Sequence, residues 1–438
     1  MSSNGDDAHF EVFLPDIWQP LEHLLSSHPK YRRVFNQAID QLFYGRGPMA
    51  AHERHYVALM AASRHRCHYL MNLHRREFTR LGGNREWLKG LSHVPLKISS
   101  MDALNGVLAH QPWAITTDHL TVEMAKYAWK LQALTKCRSP ANWSLSELVQ
   151  ATIVLAQTHV LCSFILGSGG IEPNTTADES LAAGRFQSEK ENGQEGEVEL
   201  LLKRMHELQG IKACEHELQL SELQRQRHFL EVHTTDSISE TDNSGTAMGV
   251  VACRTAGNAN DETASLYARD LRFSYIDFAL CARNGTARTH KIHDLSWEDQ
   301  GYSCVDELYN EMADILDKKF TLTQNLTYFT MGGYSDVDTS KYRTAIWMYI
   351  HSLYGIRHDD YNYGEVNMML SREMKTFIKT ICCFPDKTTA SLRQSVMVDF
   401  QPSEKVHVLL MVMESRLQAE LIYLFRTLLR LFTSPSPC

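Results

Sequence analysis

Residues 142–170 read NWSLSELVQATIVLAQTHVLCSFILGSGG. Asn142-Trp-Ser-Leu-Ser-Glu opens a segment that runs through LVQATIVLAQTHVLCSFIL and stops at Gly167-Ser-Gly-Gly. Glycine ends helices because it alone adopts the left-handed backbone at no steric cost, so the cluster reads as a helix C-cap. A dinucleotide-binding fingerprint would need a strand before its glycines, and here a helix precedes them. The same pattern extends outward. Residues 49–81 hold no interior proline once past Pro48 and end at Gly82, which suits one or two helices. Residues 302–330, 339–357, 366–382 and 403–432 each lack an interior proline and repeat apolar residues at helical period. The last begins Ser403-Glu404 and continues almost thirty residues without Gly or Pro. No sustained period-2 alternation occurs, so the fold is read as all-α.

The chain has 438 residues, 43% hydrophobic and 22% charged, which is ordinary globular composition. Prolines punctuate residues 15–173, and none follows until Pro385. Between 174 and 262 stand 17 acidic and 8 basic residues, a net of −9 against −8 for the whole chain. Residues 174–196 and 234–262 are polar with few apolar residues and read as flexible. Between them, Val198, Leu201, Leu202, Met205 and Leu208 make an amphipathic helix over 197–209. The expected organisation is two helical domains, 8–173 and 263–438, joined by an acidic, partly disordered linker (174–262) that contains this helix.

A net charge of −8 argues against a partner that needs an electropositive face, so neither nucleic acid nor an anionic membrane surface is expected. Apolar runs such as 406–413 fall short of the roughly 18 residues of a membrane span. The N-terminus carries no basic or apolar secretory region. Ten cysteines are scattered with no C-x-x-C pair, and there is no H-E-x-x-H, so neither a metal nor a cofactor is expected. Free thiols in a reducing compartment follow.

Two constellations carry chemistry. In RHRCHYLMNLH (64–74), read as helix, Cys67, Leu70, Met71, His74 and Phe78 share one face. Buried cysteine on an apolar stripe is one reading. A thiol activated by Arg64, His65, Arg66 and His68 is the other. Seven helical residues rise about 10 Å, too far for a direct Cys67–His74 hydrogen bond. Tyr69 points roughly 200° away from Cys67 on such a helix. The three act together only if the helix begins near Cys67 or a relay intervenes. In the C-terminal part, Arg343 offers a fork for a carboxylate and Glu404 an anion for an ammonium, as a free amino acid requires. Thr327, Tyr328, Thr330 and Thr339 add hydroxyls. Spacing alone leaves open that Arg343 and Glu404 are any ion pair or two solvated charges.

The stretch HYVALMAASRHRCHYLMNLH, with EFTRLGGNREWLKGL, LAHQPWAIT, WSLSELVQA, WEDQGYS, NLTYFT, RTAIWMYIHSLYGIRHDDYNYGEVN, FIKTICCFPDKTT and SEKVHV, resembles the sestrins. These are stress-induced regulators whose N-terminal domain is related to alkylhydroperoxidase D-type proteins. The resemblance covers both folded parts and weakens only in the linker. It implies that Cys67, Tyr69 and His74 hold the positions of a peroxide-reducing relay. The related hydroperoxidases carry C-x-x-C, and here Leu70 stands at the second cysteine, so turnover would need an external thiol or another cysteine.

For the second constellation, the resemblance implies a leucine pocket. Thr327, Tyr328 and Thr330 match its lid, Arg343 and Thr339 its carboxylate contacts, Glu404 its ammonium contact and Phe400 one wall. Met397 replaces a tryptophan floor and Tyr342 a leucine, so binding of L-leucine or a similar apolar amino acid with altered preference is expected. Asp359 and Asp360 match the contact through which sestrins bind the GATOR complex upstream of TOR complex 1. Arg372, Lys375 and Lys379 form a stripe matching a motif assigned to Rag GTPases, which a solvated helix face explains equally well. The expectation is a cytoplasmic and nuclear regulator of TOR complex 1. Its alternative is a Cys67-dependent alkyl hydroperoxide reductase.

Overall fold

Helix α5, Leu145–Ser168, is the stretch quoted first, and it lies at the centre of the molecule. The computed structural model describes residues 12–121, 143–169, 196–209, 221–234 and 259–433. Among them are eleven helices of ten or more residues. They are α1 (Pro29–Phe43), α2 (Ala51–Arg64), α3 (His68–Arg80), α4 (Met101–His110), α5, α6 (Glu197–Gln209), α7 (Glu222–Thr234), α8 (Ser303–Asn325), α9 (Ser340–Leu353), α10 (Arg372–Cys383) and α11 (Pro402–Thr433). The all-α reading holds. Among the described residues, strand structure is limited to two pairs: a parallel pair of β1 (His290–Lys291) with β4 (Ile356–Arg357), and an antiparallel pair of β2 (Thr330–Met331) with β3 (Tyr334–Ser335).

Ser144 starts α5 by accepting the Glu147 N–H at 3.2 Å, while the Glu147 carboxylate accepts the Ser144 N–H at 2.8 Å. This reciprocal pair satisfies two N–H groups that a helix start otherwise leaves bare. The stop is Gly169, at φ 111°. Gly167 plays a different part from the one its sequence suggests. It lies inside the helix, where an added Cβ would come within 2.8 Å of Leu409 Cδ2 on α11. Glycine there lets α11 approach α5 closely.

Helix α5 packs on α2 toward the N-terminal half and on α11 toward the C-terminal half, and one continuous apolar core joins the two. By length and composition α5 is apolar enough to cross a membrane, which corrects the expectation that no stretch is long enough. Its apolar window is wholly buried inside the protein, as befits a core helix.

Two buried charge networks pin α11 in this core. Lys319 on α8 pairs with Glu414 at 3.1 Å and donates to Gln157 of α5 at 2.6 Å, and Tyr31 of α1 also donates to Glu414. Arg416 pairs with Glu420 at 2.7 Å and donates to Ser163 at 2.7 Å and to the Ala109 carbonyl at 3.1 Å. His159 bridges Glu420 at 3.0 Å and Asn105 at 2.8 Å. Buried charges of this kind are costly unless every partner is present, so they fix one arrangement of the helices.

The one or two helices expected over 49–81 are two, α2 and α3, divided at His65–Cys67, where Arg66 adopts φ 51°. The helix expected over 302–330 ends at Asn325, and the β2–β3 hairpin follows. That expected over 339–357 ends at Leu353, and that over 366–382 restarts at Arg372 with Ser371 as its cap. Of the expected linker, residues 174–195, 210–220 and 235–258 lie outside the described residues. The helix at 197–209 is α6, and a second one, α7, was not expected. Both dock on the C-terminal helices, α6 through Val198, Leu201, Met205 and Leu208, α7 through Phe229 and Val232.

Candidate functional site

Arg343 lies in the first turn of α9. Its Nε donates to Thr339 Oγ1 at 3.1 Å, and its guanidinium donates to the carbonyls of Gln324 and Leu326, where α8 gives way to the hairpin. Burial lowers its pKa, and Asp338 opposes the shift. Glu404 lies in the first turn of α11. One carboxylate oxygen accepts the N–H groups of Gly332 and Gln401, both at 2.9 Å. The other, Oε1, is buried with no partner. Buried acceptors almost always find a donor, so an unpaired carboxylate oxygen calls for an explanation.

The segment from Thr327 to Val337, which the resemblance casts as a lid, carries the β2–β3 hairpin. Thr327 Oγ1 accepts the Phe329 N–H at 3.2 Å, and Phe329 takes φ 54°. Thr330 is exposed in β2 and pairs with Ser335. Tyr328 reaches the N-terminal half, where its hydroxyl lies 2.9 Å from His28 Nδ1 and 3.3 Å from the Ser27 carbonyl. His28 Nε2 lies 2.8 Å from the Ser403 carbonyl. A carbonyl only accepts, so Nε2 carries the proton, and Nδ1 of the neutral ring accepts from Tyr328. Burial keeps this ring neutral by lowering its pKa. His28 therefore ties the lid to the start of α11.

The apolar wall is closed by Tyr342, Met397 and Phe400. All three are buried, and the Tyr342 and Phe400 rings meet edge to face at 5.9 Å. Met397 takes φ 53° in a turn whose N–H groups at 397 and 398 are accepted by Glu197, the first residue of α6, at 3.3 and 3.0 Å. Tyr334 of the hairpin donates to Glu199 at 3.0 Å. The start of α6 thus forms part of this site. His28, Glu197 and Gly332 escaped the sequence reading. Each acts through a backbone group or a residue more than seventy positions away, which leaves no local spacing to read.

The thiol site is built differently from the expected helix face. Helix α3 begins at His68, with Cys67 at its N-cap, which meets the condition that the helix start near Cys67. Cys67, Leu70, Met71, His74 and Phe78 are all buried, as their spacing predicts. The three relay residues have separate partners. Tyr69 donates to the Ile17 carbonyl at 3.0 Å, and its pKa is raised by burial and by Cys67. His74 Nδ1 meets His55 Nδ1 of α2 at 3.0 Å, and burial, then His55, pushes its pKa far down. The cations expected to serve Cys67 are engaged elsewhere. Arg64 donates to the carbonyls of Arg269, Asp270 and Phe273, and Arg66 pairs with Asp386 at 3.0 Å. Burial, and after it the neighbouring Cys67, push the Cys162 thiol of α5 far up. Cys162 is 95 positions away, and no motif in the sequence links the two.

Asp359 and Asp360 follow β4 and differ. Asp359 accepts from Arg357 at 2.7 Å and lies 3.6 Å from Lys291, and Arg357 also pairs with Glu222 of α7 at 2.6 Å. Burial opposes ionisation of Asp359, but Arg357 holds its pKa below the usual range. Asp360 is exposed. The basic stripe is equally uneven. Arg372 is exposed, Lys375 is buried and donates to Asn367, and Lys379 pairs with Asp277 at 2.7 Å.

Residues 16–432 match the family described as PA26 p53-induced protein (sestrin). The chain is 36% identical to Sestrin-3 of Mus musculus over 94% of its length and 85% of that protein's. It is 36% identical to the Sestrin homolog of Drosophila melanogaster, covering 97% of the chain and 95% of that protein. Sestrin-2 of Homo sapiens is 36% identical as well, over 94% of this chain and 83% of its own.

Proposed function

The chain belongs to the sestrin family, and from that premise we propose that it is an amino-acid-responsive negative regulator of TOR complex 1 in the cytoplasm and nucleus. Its partner in this reading is the GATOR complex, bound at the surface that presents Asp360, with Asp359 fixed behind it by Arg357. On the basic stripe of α10, the exposed Arg372 is the proposed point of contact for Rag GTPases.

One observation carries the reading. Glu404 holds the lid backbone with one oxygen and keeps the other buried and unpaired. An ammonium group of an apolar amino acid such as L-leucine would satisfy it. Arg343, oriented by three acceptors, would take the carboxylate, and Tyr342, Met397 and Phe400 would line the side chain. Ligand held there would order the lid and favour a state that releases the partner. Such a shift requires a real difference in affinity between the two states.

The test is calorimetric titration of the full chain with leucine, methionine and isoleucine. Saturable binding of one of them that vanishes in Glu404→Ala and in Arg343→Ala is expected. Absence of heat with all three sinks the sensor reading.

The second reading, a hydroperoxide reductase acting through Cys67, is favoured by the start of α3 at this residue. Cys67 should then label with a thiol reagent faster than the other nine cysteines, and Tyr69→Phe should slow it. Equal or slower labelling of Cys67 removes its basis.

A further inference from the structure

We propose that the first turn of α6, Glu197 above all, sets which apolar side chain the amino-acid site accepts. The proposal rests on the amino-acid reading of that site and assigns its selectivity to a helix outside the pocket walls. Met397, Val398 and Asp399 form a turn ahead of Phe400, whose N–H is accepted by the Met397 carbonyl at 3.1 Å. Met397 takes φ 53° there, a left-handed backbone that residues other than glycine adopt only when their surroundings hold them. Glu197 supplies the hold. Its carboxylate accepts the Met397 N–H with Oε1 at 3.3 Å and the Val398 N–H with Oε2 at 3.0 Å. In return, the Asp399 carboxylate accepts the Glu197 N–H at 3.1 Å. Two carboxylates 202 positions apart thus each bind the other's backbone. The turn so fixed has a direction: Met397 is 3% exposed, while Val398 is 55% exposed.

The same turn of α6 holds the opposite side of the site. Val198 lies against Gly332, where an added Cβ would come within 3.0 Å of it, and Tyr334 donates to Glu199 at 3.0 Å. Helix α6 therefore clasps the hairpin and the Met397 turn together. Its remaining length is anchored independently. Leu201, Met205 and Leu208 are buried, and Arg204 donates to the Met368 carbonyl at 2.9 Å. Loss of the Glu197 carboxylate should then free the turn and leave the helix docked. Methionine is unbranched and fills irregular space, so the placing of Met397 decides the length and shape of the cavity beside it. A misfit of one methylene in an apolar pocket is worth about tenfold in discrimination.

The experiment titrates the full chain calorimetrically with L-leucine and L-methionine, alongside Glu197→Ala and Glu197→Gln. The ratio of the two affinities should change about tenfold in Glu197→Ala. It should change less in Glu197→Gln, which keeps one of the two acceptor oxygens. In the ligand-free Glu197→Ala protein, amide exchange over residues 396–400 should quicken while that of α5 stays unchanged. Weakening of both affinities by one factor would overturn the selectivity role, because a mere brace affects every ligand alike. An unchanged ratio, or unchanged exchange at the turn, would overturn it as well, and each of these results leaves the amino-acid reading standing. Absence of heat with both amino acids in the unmodified chain overturns the two readings together.

Discussion

Replacing His233 with leucine should make the protein more stable at neutral pH and less sensitive to acid. His233 ends α7, is 2% exposed, and packs edge-on against Phe229 at 6.1 Å. Neither ring nitrogen has a hydrogen-bond partner. Burial lowers its pKa to about 4; Asp277 opposes the shift, while Lys379, Lys375 and Arg283 add to it. The unfolded ring titrates near 6.5, so between about pH 6.5 and 4 the unfolded chain binds a proton that the folded chain refuses. Stability from this residue is complete above pH 6.5 and falls as the pH drops toward 4. At pH 5.5 the loss is about 1.4 kcal/mol, one pH unit below the unfolded pKa. Leucine removes that loss. It also removes two unpaired polar atoms, a gain of about 1 kcal/mol or more at pH 7.5. Urea unfolding of both proteins at pH 7.5 and 5.5, read as the difference between them, cancels the other histidines. Equal acid shifts in the two proteins would refute the reasoning, and so would a leucine variant less stable at pH 7.5.

Three further outcomes are expected. Lys319→Met should cost about 3–5 kcal/mol in urea unfolding by leaving Glu414 buried without its cation, and Lys319→Met with Glu414→Leu should recover most of it. Gly332 sits at φ 62°, where an added Cβ would lie 3.0 Å from Val198 and 3.2 Å from the Asp399 carbonyl. Gly332→Ala should therefore cost about 1–2 kcal/mol and weaken the calorimetric response to amino acids. His28→Ala removes the link between Tyr328 and Ser403, so amide exchange over residues 326–337 should quicken while that of α5 stays unchanged.

What was legible in the sequence follows from where the information resides. The stripe Cys67, Leu70, Met71, His74 and Phe78 and the stripe on α6 repeat at helical period; the first is buried throughout, and the second is buried save for the half-buried Leu202. Helix α7 was missed because ELQRQRHFLEVHT buries little besides Phe229, Val232 and His233, too few positions to stand out from a polar, acidic surround. The approach to the hairpin, residues 326–330, was read as part of a helix because a four-residue pairing has no period to detect. In α11, Glu414, Arg416 and Glu420 look like surface residues, yet none is exposed. Their partners come from five other regions of the chain, Tyr31, His65, Ala109, the pair His159 and Ser163, and Lys319, and only the fold brings those together. For Cys67 the spacing rightly placed the residue in the core and could say nothing of Cys162.

Helix α11 has 32 residues without a break, about 48 Å of rigid rod. It begins beside the lid, at Glu404. Twelve residues on, about 18 Å along the rod, Arg416 grips Ser163 of α5 and Glu420 holds His159. The proposed amino-acid site and the buried charge network therefore share one beam. Thermodynamic reciprocity then sets a firm relation between them. Whatever factor loosening that network imposes on amino-acid affinity, the bound amino acid must impose on the equilibrium that loosens the network.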